Sequence, residues 1–523
     1  MAKTDKTAEL SVKQAGGNGI FSFLTENIRE SGKAPVRVLA GFVAAWALFF
    51  LILYVLPRPQ GLSAEGMAVL AIVVWASVMW VSEALPVGIT GISIPTLLIL
   101  THAIPWEKGR PPMSTVFGGF TSHEVWLCLF AFFVGAVMQL LKMDRRIALG
   151  ILDKIRASNV GRVIWGMFGV NIVLAFLIPA ANARAATLLP VVKGITNLLG
   201  DTPEEQEAKK AIVIQSLVYA TMICGVFILT AHMPNLIMVG IFSQHGYPNL
   251  SYLNWAILQF PYLGMFVLTQ WWVRYHFRTK GIDIAGGHGE IRRQYQELGK
   301  TSKSEWLLLA VFAGVALLFA MGKGSPIYEL HRHQLGVIGL IGILILFTPG
   351  LFPFKWKQVQ DRTIWGTFLL LGGALTMTSA MSKSGLAGWM ADLIHGPVVG
   401  LPWWGIVLAL MVGTHVIRIG MLSNVAAVAM LAPIMFAMAP KLGLHPVAFT
   451  LLVCDTDTYA YILPTQITAA VIAYGSETFS TGDYAKAGWV CILIAMAYGL
   501  LVMAPWYALL GLPVWNPNAP WPF

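Results

Sequence analysis

Two stretches of this chain place a side-chain amide among small residues: Ile178-Pro179-Ala180-Ala181-Asn182-Ala183-Arg184-Ala185-Ala186-Thr187 and Met421-Leu422-Ser423-Asn424-Val425-Ala426-Ala427. The chemistry they suit is the binding of an anion. Where a helix starts, its first backbone N–H groups have no intrahelical partner and the helix dipole favours negative charge. Asn adds a neutral donor, and Ala or Ser lets a ligand approach closely. Substrate contacts are expected from Asn182, Ala183, Arg184 and Thr187 in the first stretch, and from Ser423, Asn424 and Val425 in the second. A single Asn among alanines also serves as an interhelical hydrogen bond. Two of them, placed alike in the two halves of the chain, favour a ligand.

A second pair of stretches carries Pro beside amides and hydroxyls: Thr230-Ala231-His232-Met233-Pro234-Asn235 and Leu463-Pro464-Thr465-Gln466-Ile467-Thr468. Pro removes a helical donor and frees carbonyls that need partners, and those carbonyls suit a cation or a water. Pro464, Thr465 and Thr468 are expected beside the substrate; Ala181, Pro234 and Asn235 are expected beside an ion. His232 reads slightly better as a packed neutral imidazole than as a site residue. Ionisable groups inside a membrane are costly and mark function or pairing. Arg184, His415, Arg418, Asp455 and Asp457 are candidates for charge compensation. Either Arg can instead snorkel to an interface, and either Asp can neutralise an Arg rather than carry protons. Glu124 and His123 read as membrane-edge residues.

These residues must be held by membrane helices. Of 523 residues, 57% are hydrophobic and 11% charged, with 19 Trp and 51 Gly; a soluble chain carries about a quarter charged residues. The net charge of +10 comes from Lys and Arg in short segments between apolar runs, which orients a membrane protein rather than binding nucleic acid. Cys128, Cys224, Cys454 and Cys491 lie in apolar runs without metal-ligand spacing. There is no catalytic constellation: no His-x-x-x-His, no placed Ser/His/Asp set and no nucleotide loop. Spans of about 20 apolar residues are expected at 36–56, 64–84, 87–104, 124–141, 211–242, 252–273, 305–322, 334–351, 363–381, 446–476 and 487–511.

Two further apolar stretches, 162–195 and 401–436, are each too long for one span and are broken midway. As re-entrant hairpins they make the charge pattern consistent. With the N-terminus cytoplasmic, 142–162 (Lys142, Arg145, Arg146, Lys154, Arg156, Arg162) and 274–303 (Arg274, Arg278, Lys280, Arg292, Arg293, Lys300, Lys303) lie inside. Segments 243–251 and 382–400, and the tail 512–523, lie outside. This is the positive-inside bias. The fold class expected is all-α, an integral membrane protein of about eleven transmembrane helices plus two re-entrant hairpins. A cytoplasmic segment 1–35 holds a surface helix with Ile20, Phe21, Phe23, Leu24 and Ile28 on one face. A first span, 36–63, precedes two repeat halves, 64–274 and 305–511, joined by the cytoplasmic linker 275–304. The halves enter from opposite sides, an inverted repeat typical of secondary transporters.

The residues also resemble a known family, the divalent-anion:sodium symporters of di- and tricarboxylates. Trp80-Val81-Ser82-Glu83-Ala84-Leu85-Pro86 resembles its Trp-x-x-Glu-Ala-Leu-Pro. Arg145-Arg146-Ile147-Ala148-Leu149, Met233-Pro234-Asn235-Leu236-Ile237 and Ala473-Tyr474-Gly475-Ser476 resemble further motifs, in order and at family spacing. The resemblance implies a homodimer in the cell membrane, an elevator-type carrier with a fixed scaffold and a moving domain holding both hairpins, and sodium at the hairpin tips. The chain departs from the family at those tips, whose signature is Ser-Asn-Thr. The second tip has Ser423-Asn424-Val425. The first has Ala180-Ala181-Asn182 or, aligned on the Asn, a register one residue away, and Ala183-Arg184 resembles the exchanger branch. Oxygen ligands for sodium are thereby lost. The function expected is secondary transport of C4-dicarboxylates or related anions, without organic cofactor, with sodium as the candidate coupling ion. Sodium-coupled transport of sulfate or another oxyanion is the alternative; a membrane scaffold or enzyme is the alternative outside transport.

Overall fold

The computed structural model describes residues 25, 28, 35–106, 109–247, 250–284, 286–320, 335–421 and 423–523. Among them there is no β-strand; the chain is a succession of helices. In the first half run Pro35–Phe50 with Leu51–Val55, then Ala64–Ser82, Val87–Leu100 and His123–Leu140. The amphipathic helix Met143–Lys154 follows, then a pair, Val160–Leu177 and Ala181–Thr196, then Pro203–Phe227 and Met233–Gln244 separated by a break, and then Tyr252–Gln259 with Tyr262–His276. In the second half run Lys303–Ala320, Leu335–Leu346 and Trp365–Lys383. Leu386–Val398 follows, then a pair, Trp403–Arg418 and Asn424–Met438, then Pro446–Asp457 and Thr468–Tyr474 separated by a break, and finally Thr481–Leu509. The kinds of element therefore recur in one order.

Local signals set the ends. Asn159 Oδ1 accepts from Arg162 N at 2.9 Å, Thr202 and Glu205 form a reciprocal capping box, and Ser480 with Asp483 forms another, each satisfying N–H groups a helix start leaves free. Six of the described helices are long and apolar enough to cross a membrane, and Leu386–Val398 meets Trp403–Arg418 at a bend of 115°.

Several expectations need correction. Segments 142–162 and 382–400 are not simply loops: Met143–Lys154 and Leu386–Val398 are helices, each entered from a left-handed residue, Lys142 (φ 56°) and Gly385 (φ 76°). Their apolar stripes, Ala148, Leu149 and Leu152 in one and Leu386, Ala387 and Ala391 in the other, are buried; each helix is too short to read as a span. The apolar run 211–242 belongs to a helix that starts earlier, at Pro203, because the Thr202 cap and the first-turn acids Glu204 and Glu205 extend it by polar turns. The span 252–273 is interrupted at Phe260-Pro261, and the linker contains a helix, Gly287–Glu297. Of the proposed surface helix, only Ile28 is among the described residues, and it is helical; Ile20, Phe21, Phe23 and Leu24 lie outside them.

Contacts between connecting segments sort them into two groups. Arg146 Nε lies 2.7 Å from Glu305 Oε1 and its other nitrogens donate to Leu298 O and Gly299 O. Asn159 bridges to Asp283, and Lys210 lies 3.4 Å from Asp483. In the other group, His245 Nε2 lies 2.9 Å from Ser382 Oγ, Lys441 pairs with Asp392, His445 N donates to Val514 O at 2.8 Å, and Trp389 Nε1 donates to Gln60 O.

Candidate functional site

Four breaks in helices converge. After Leu177 the chain is extended through Ile178 and Ala180 before Ala181–Thr196 begins. After Phe227 comes a tight turn, Leu229–Ala231, then extended His232 (φ −146°, ψ 123°) and the helix Met233–Gln244. Ser423 precedes Asn424–Met438, and the turn Pro464–Gln466 leads through extended Ile467 (φ −134°, ψ 125°) into Thr468–Tyr474. Pro179, Pro234 and Pro464 lie in or beside these breaks, where a missing N–H costs nothing.

The breaks enclose a cavity of about 330 Å³, lined by Ala180, Ala181 and Asn182, by His232 and Met233, by Ser423, Asn424 and Val425, and by Ile467, Thr468 and Ala469. Three helices of 16, 12 and 15 residues begin on its wall, Ala181–Thr196, Met233–Gln244 and Asn424–Met438. Each brings unpaired N–H groups and about +0.5 of an elementary charge. The remaining wall includes Glu83, Val87, Gly366 and Thr367. Glu83 caps Ala64–Ser82 in the left-handed region (φ 53°).

The expected site residues divide. Asn182, Ser423, Asn424, Val425 and Thr468 line the cavity with Ala181. Among the described residues, no protein group takes the Asn182 amide. Asn424 sits in a network: its Oδ1 accepts from Arg418 Nη2, and its Nδ2 lies 3.3 Å from both His232 Nε2 and Thr458 O. His232 thus joins the site, against the slight preference for packing alone. Ala183, Arg184, Thr187, Pro464 and Thr465 are not on the cavity wall. Thr187 faces Asp144. His415 Nδ1 lies 2.9 Å from Met411 O within its own helix. Glu124 is buried in the first turn of His123–Leu140.

Both arginines turn away from the cavity, toward carbonyls. Arg184, fully buried, donates from Nη1 to Ile178 O at 2.8 Å and Ala231 O at 2.9 Å, and from Nη2 to Thr221 O at 2.8 Å. Arg418 donates to Met421 O at 3.1 Å and Gln466 O at 2.8 Å, and its Nε lies 3.5 Å from Asp457 Oδ2. Ala231 and Gln466 occupy equivalent places, each the last residue of the turn before an extended residue and a new helix. Each arginine therefore ties its own helix pair to the same point of the neighbouring break. The carbonyls expected to attract a cation have further partners: Asn235 Nδ2 donates to Gly225 O and Ile228 O at 3.0 Å, and Gln466 Nε2 donates to Arg418 O at 2.9 Å. Asp455 stands apart, its Oδ2 accepting from Gln259 Nε2 at 2.7 Å, while Gln259 Oε1 accepts from Tyr507. A sodium ion at the cavity would draw on the Ser423 and Thr468 hydroxyls and on backbone oxygens.

Sequence reasoning missed Glu83, Met222, Gly366 and Thr367 on the wall. The Glu83 motif was visible, but nothing in the sequence aims it at residues a hundred and more positions away.

The sequence profile of a family described as the sodium:sulfate symporter transmembrane region matches residues 39–513. A membrane protein of Cupriavidus necator is 28% identical over 488 residues, 89% of this chain and 93% of its own length. A protein of Staphylococcus saprophyticus named sodium-dependent dicarboxylate transporter SdcS is 26% identical over 514 residues, 94% of this chain and 96% of its own. Among solved structures, the YdaH transporter of Alcanivorax borkumensis has a TM-score of 0.50 at 14% identity, over 83% of this chain and 100% of that one. That is a likeness of fold.

Proposed function

Because this chain belongs to the sodium:sulfate symporter family, a family of carriers rather than enzymes, we propose that this multi-pass membrane protein transports small divalent organic anions, C4-dicarboxylates or their relatives. The observation that carries this reading is the cavity on which three helix N-termini and the amides of Asn182 and Asn424 converge. Such ends are built for anions. A relative named for dicarboxylates supports the choice of substrate. Sulfate is the second reading, favoured by the family's description; helix ends bind either ion.

In this reading the two pairs are re-entrant hairpins of an inverted repeat, in a homodimer that works as an elevator. Contacts within each group of connecting segments support it, since Arg146–Glu305 requires an even number of crossings between those residues, as does Lys441–Asp392. Single cysteines replacing Ser158 and Ser302, after removal of the native four, are expected to react with impermeant thiol reagents only from the cytoplasm, and one replacing Ser243 only from outside. Labelling of positions 158 and 302 from opposite faces would rule the hairpin out.

Coupling is where this chain departs from relatives named as sodium-dependent. Guanidinium groups, permanent cations, hold carbonyls at both ends of the site. Arg418 is paired with Asp457, so we take Arg184, which has no carboxylate within ion-pair distance among the described residues, as the built-in countercharge, and the carrier depends weakly on sodium and strongly on a counter-anion. With labelled succinate outside proteoliposomes, uptake is expected to need internal succinate and to persist when potassium replaces sodium. Accumulation in anion-free vesicles driven by a sodium gradient refutes exchange but keeps the carrier. Transport of sulfate and not succinate selects the second reading.

A further inference from the structure

A groove of about 790 Å³ lies away from the substrate cavity, between the start of Val160–Leu177 and the end of Tyr262–His276. Its wall carries three cations, Arg274, Arg278 and Lys280, and three aromatic rings, Trp165, Trp271 and Tyr275. None of its lining residues is acidic, and among the described residues none of the three cations has a carboxylate within ion-pair distance. Arg274 Nε is buried without a hydrogen-bond partner. Gly161 makes the close approach possible: a Cβ there would lie 3.1 Å from the Arg274 guanidinium. Trp271 and Tyr275 are 67% and 69% exposed and stack on each other, rings 5.8 Å apart and 8° from parallel. Exposed Trp and Tyr beside unpaired cations at the end of a membrane helix are the marks of the headgroup level of a bilayer.

We propose that this groove binds an anionic phospholipid, its phosphodiester on Arg274, Arg278 and Lys280 and its glycerol and upper acyl chain against Trp165, Val267 and Trp271. Basic pockets between membrane helices on the side rich in Lys and Arg recognise such headgroups, and guanidinium forks grip phosphate oxygens with two parallel hydrogen bonds. A soluble phosphate would satisfy the cations but leave the aromatic wall bare. One boundary of the groove is the helix whose far end forms the first break, beside Asn182. A bound lipid would therefore brace the arm that presents the substrate amide. Lipid binding rests on the membrane character of the chain and the bracing on the proposed function; the test does not involve transport.

The test uses the full-length protein in neutral detergent, titrated with dioleoylphosphatidylglycerol, dioleoylphosphatidylcholine or inorganic phosphate while its melting temperature is followed. Phosphatidylglycerol is expected to raise it saturably, and the other two are not. Arg278 and Lys280 are exposed, so the double variant Arg278→Gln/Lys280→Gln should fold normally. At about fivefold in affinity per cation, it should bind phosphatidylglycerol roughly twenty-five-fold more weakly. The control Lys355→Gln/Lys357→Gln, exposed residues of another segment, should bind as the unaltered protein does. Equal shifts from the two lipids, or a shift from inorganic phosphate alone, would overturn the proposal. So would unchanged lipid affinity in the double variant, or a Trp271→Ala change that dissociates an oligomer without altering lipid binding.

Discussion

Arg184→Ala is expected to abolish transport and to remove most of the protein's thermal stability in detergent. The side chain is fully buried and donates to three carbonyls from three places, Ile178, Thr221 and Ala231. The oxygens of Ile178 and Ala231 lie at breaks, with no helical N–H to fall back on; that of Thr221 lies inside Ala220–Phe227 and keeps its helical partner. A buried acceptor left unpaired costs about 1–3 kcal/mol, and the two at Ile178 and Ala231 together cost about 2–5 kcal/mol once the desolvation of the lost charge is set against them. Stabilities of folded domains are only about 5–15 kcal/mol. Packing around the guanidinium is tight, for a Cβ added at Gly225 would lie 3.2 Å from Nη2, so truncation to alanine also leaves a void. Arg184→Lys keeps the charge but replaces a planar fork by a point charge, and should fall between the two. Melting curves by fluorescence-detected size exclusion, paired with succinate counterflow, read both effects. An alanine variant that melts and transports like the unaltered protein would mean that the arginine ties nothing together.

This role was not legible in the sequence, and the reason is geometric. An arginine next to a membrane-depth amide reads naturally as a grip on a carboxylate. Whether it points to the ligand or to the carbonyl ends behind it depends on where Thr221 and Ala231 lie, and they belong to a helix some forty residues on. The same holds for Arg418, whose partners Asp457 and Gln466 come from the neighbouring break. Neutralisation of an arginine by Asp457 was foreseeable as pairing, but not its exclusion from the cavity. By contrast, the breaks themselves could be read, since Pro179, Pro234 and Pro464 disfavour continuous helices beside amides and hydroxyls, and the small residues around Asn182 and Asn424 leave room for a ligand. Polar helices such as Met143–Lys154 were hidden because periodicity over a dozen residues, five of them charged, is weak. Cavity walls contributed by Glu83 and Thr367 depend on long-range packing, which no local pattern encodes.

The division of labour among the polar groups makes the two asparagines unequal. Asn182 faces the cavity with its amide untaken by any described protein group, at the start of Ala181–Thr196. Asn424 faces the same cavity but also accepts from Arg418 and contacts His232 and Thr458 O. Asn182→Ala should therefore remove a donor to the anion and little else. Loss of a hydrogen bond to a charged group costs about 1.5–3 kcal/mol, so the half-saturating succinate concentration should rise about ten- to a hundredfold with the melting temperature unchanged. Asn424→Ala should raise it at least as far and lower the melting temperature as well, since Arg418 Nη2 loses a buried acceptor. Asn182→Asp separates charge from shape: it keeps the size of the side chain but sets a carboxylate against a dianion, and transport should be lost while the fold survives. Succinate counterflow measured over a concentration series, with a melt on the same preparation, distinguishes these outcomes. Unchanged half-saturation in Asn182→Ala would move the anion away from the first break. Equal melting of Asn182→Ala and Asn424→Ala would mean that the network joining Arg418, Asn424 and His232 contributes nothing to holding the two halves of the site together.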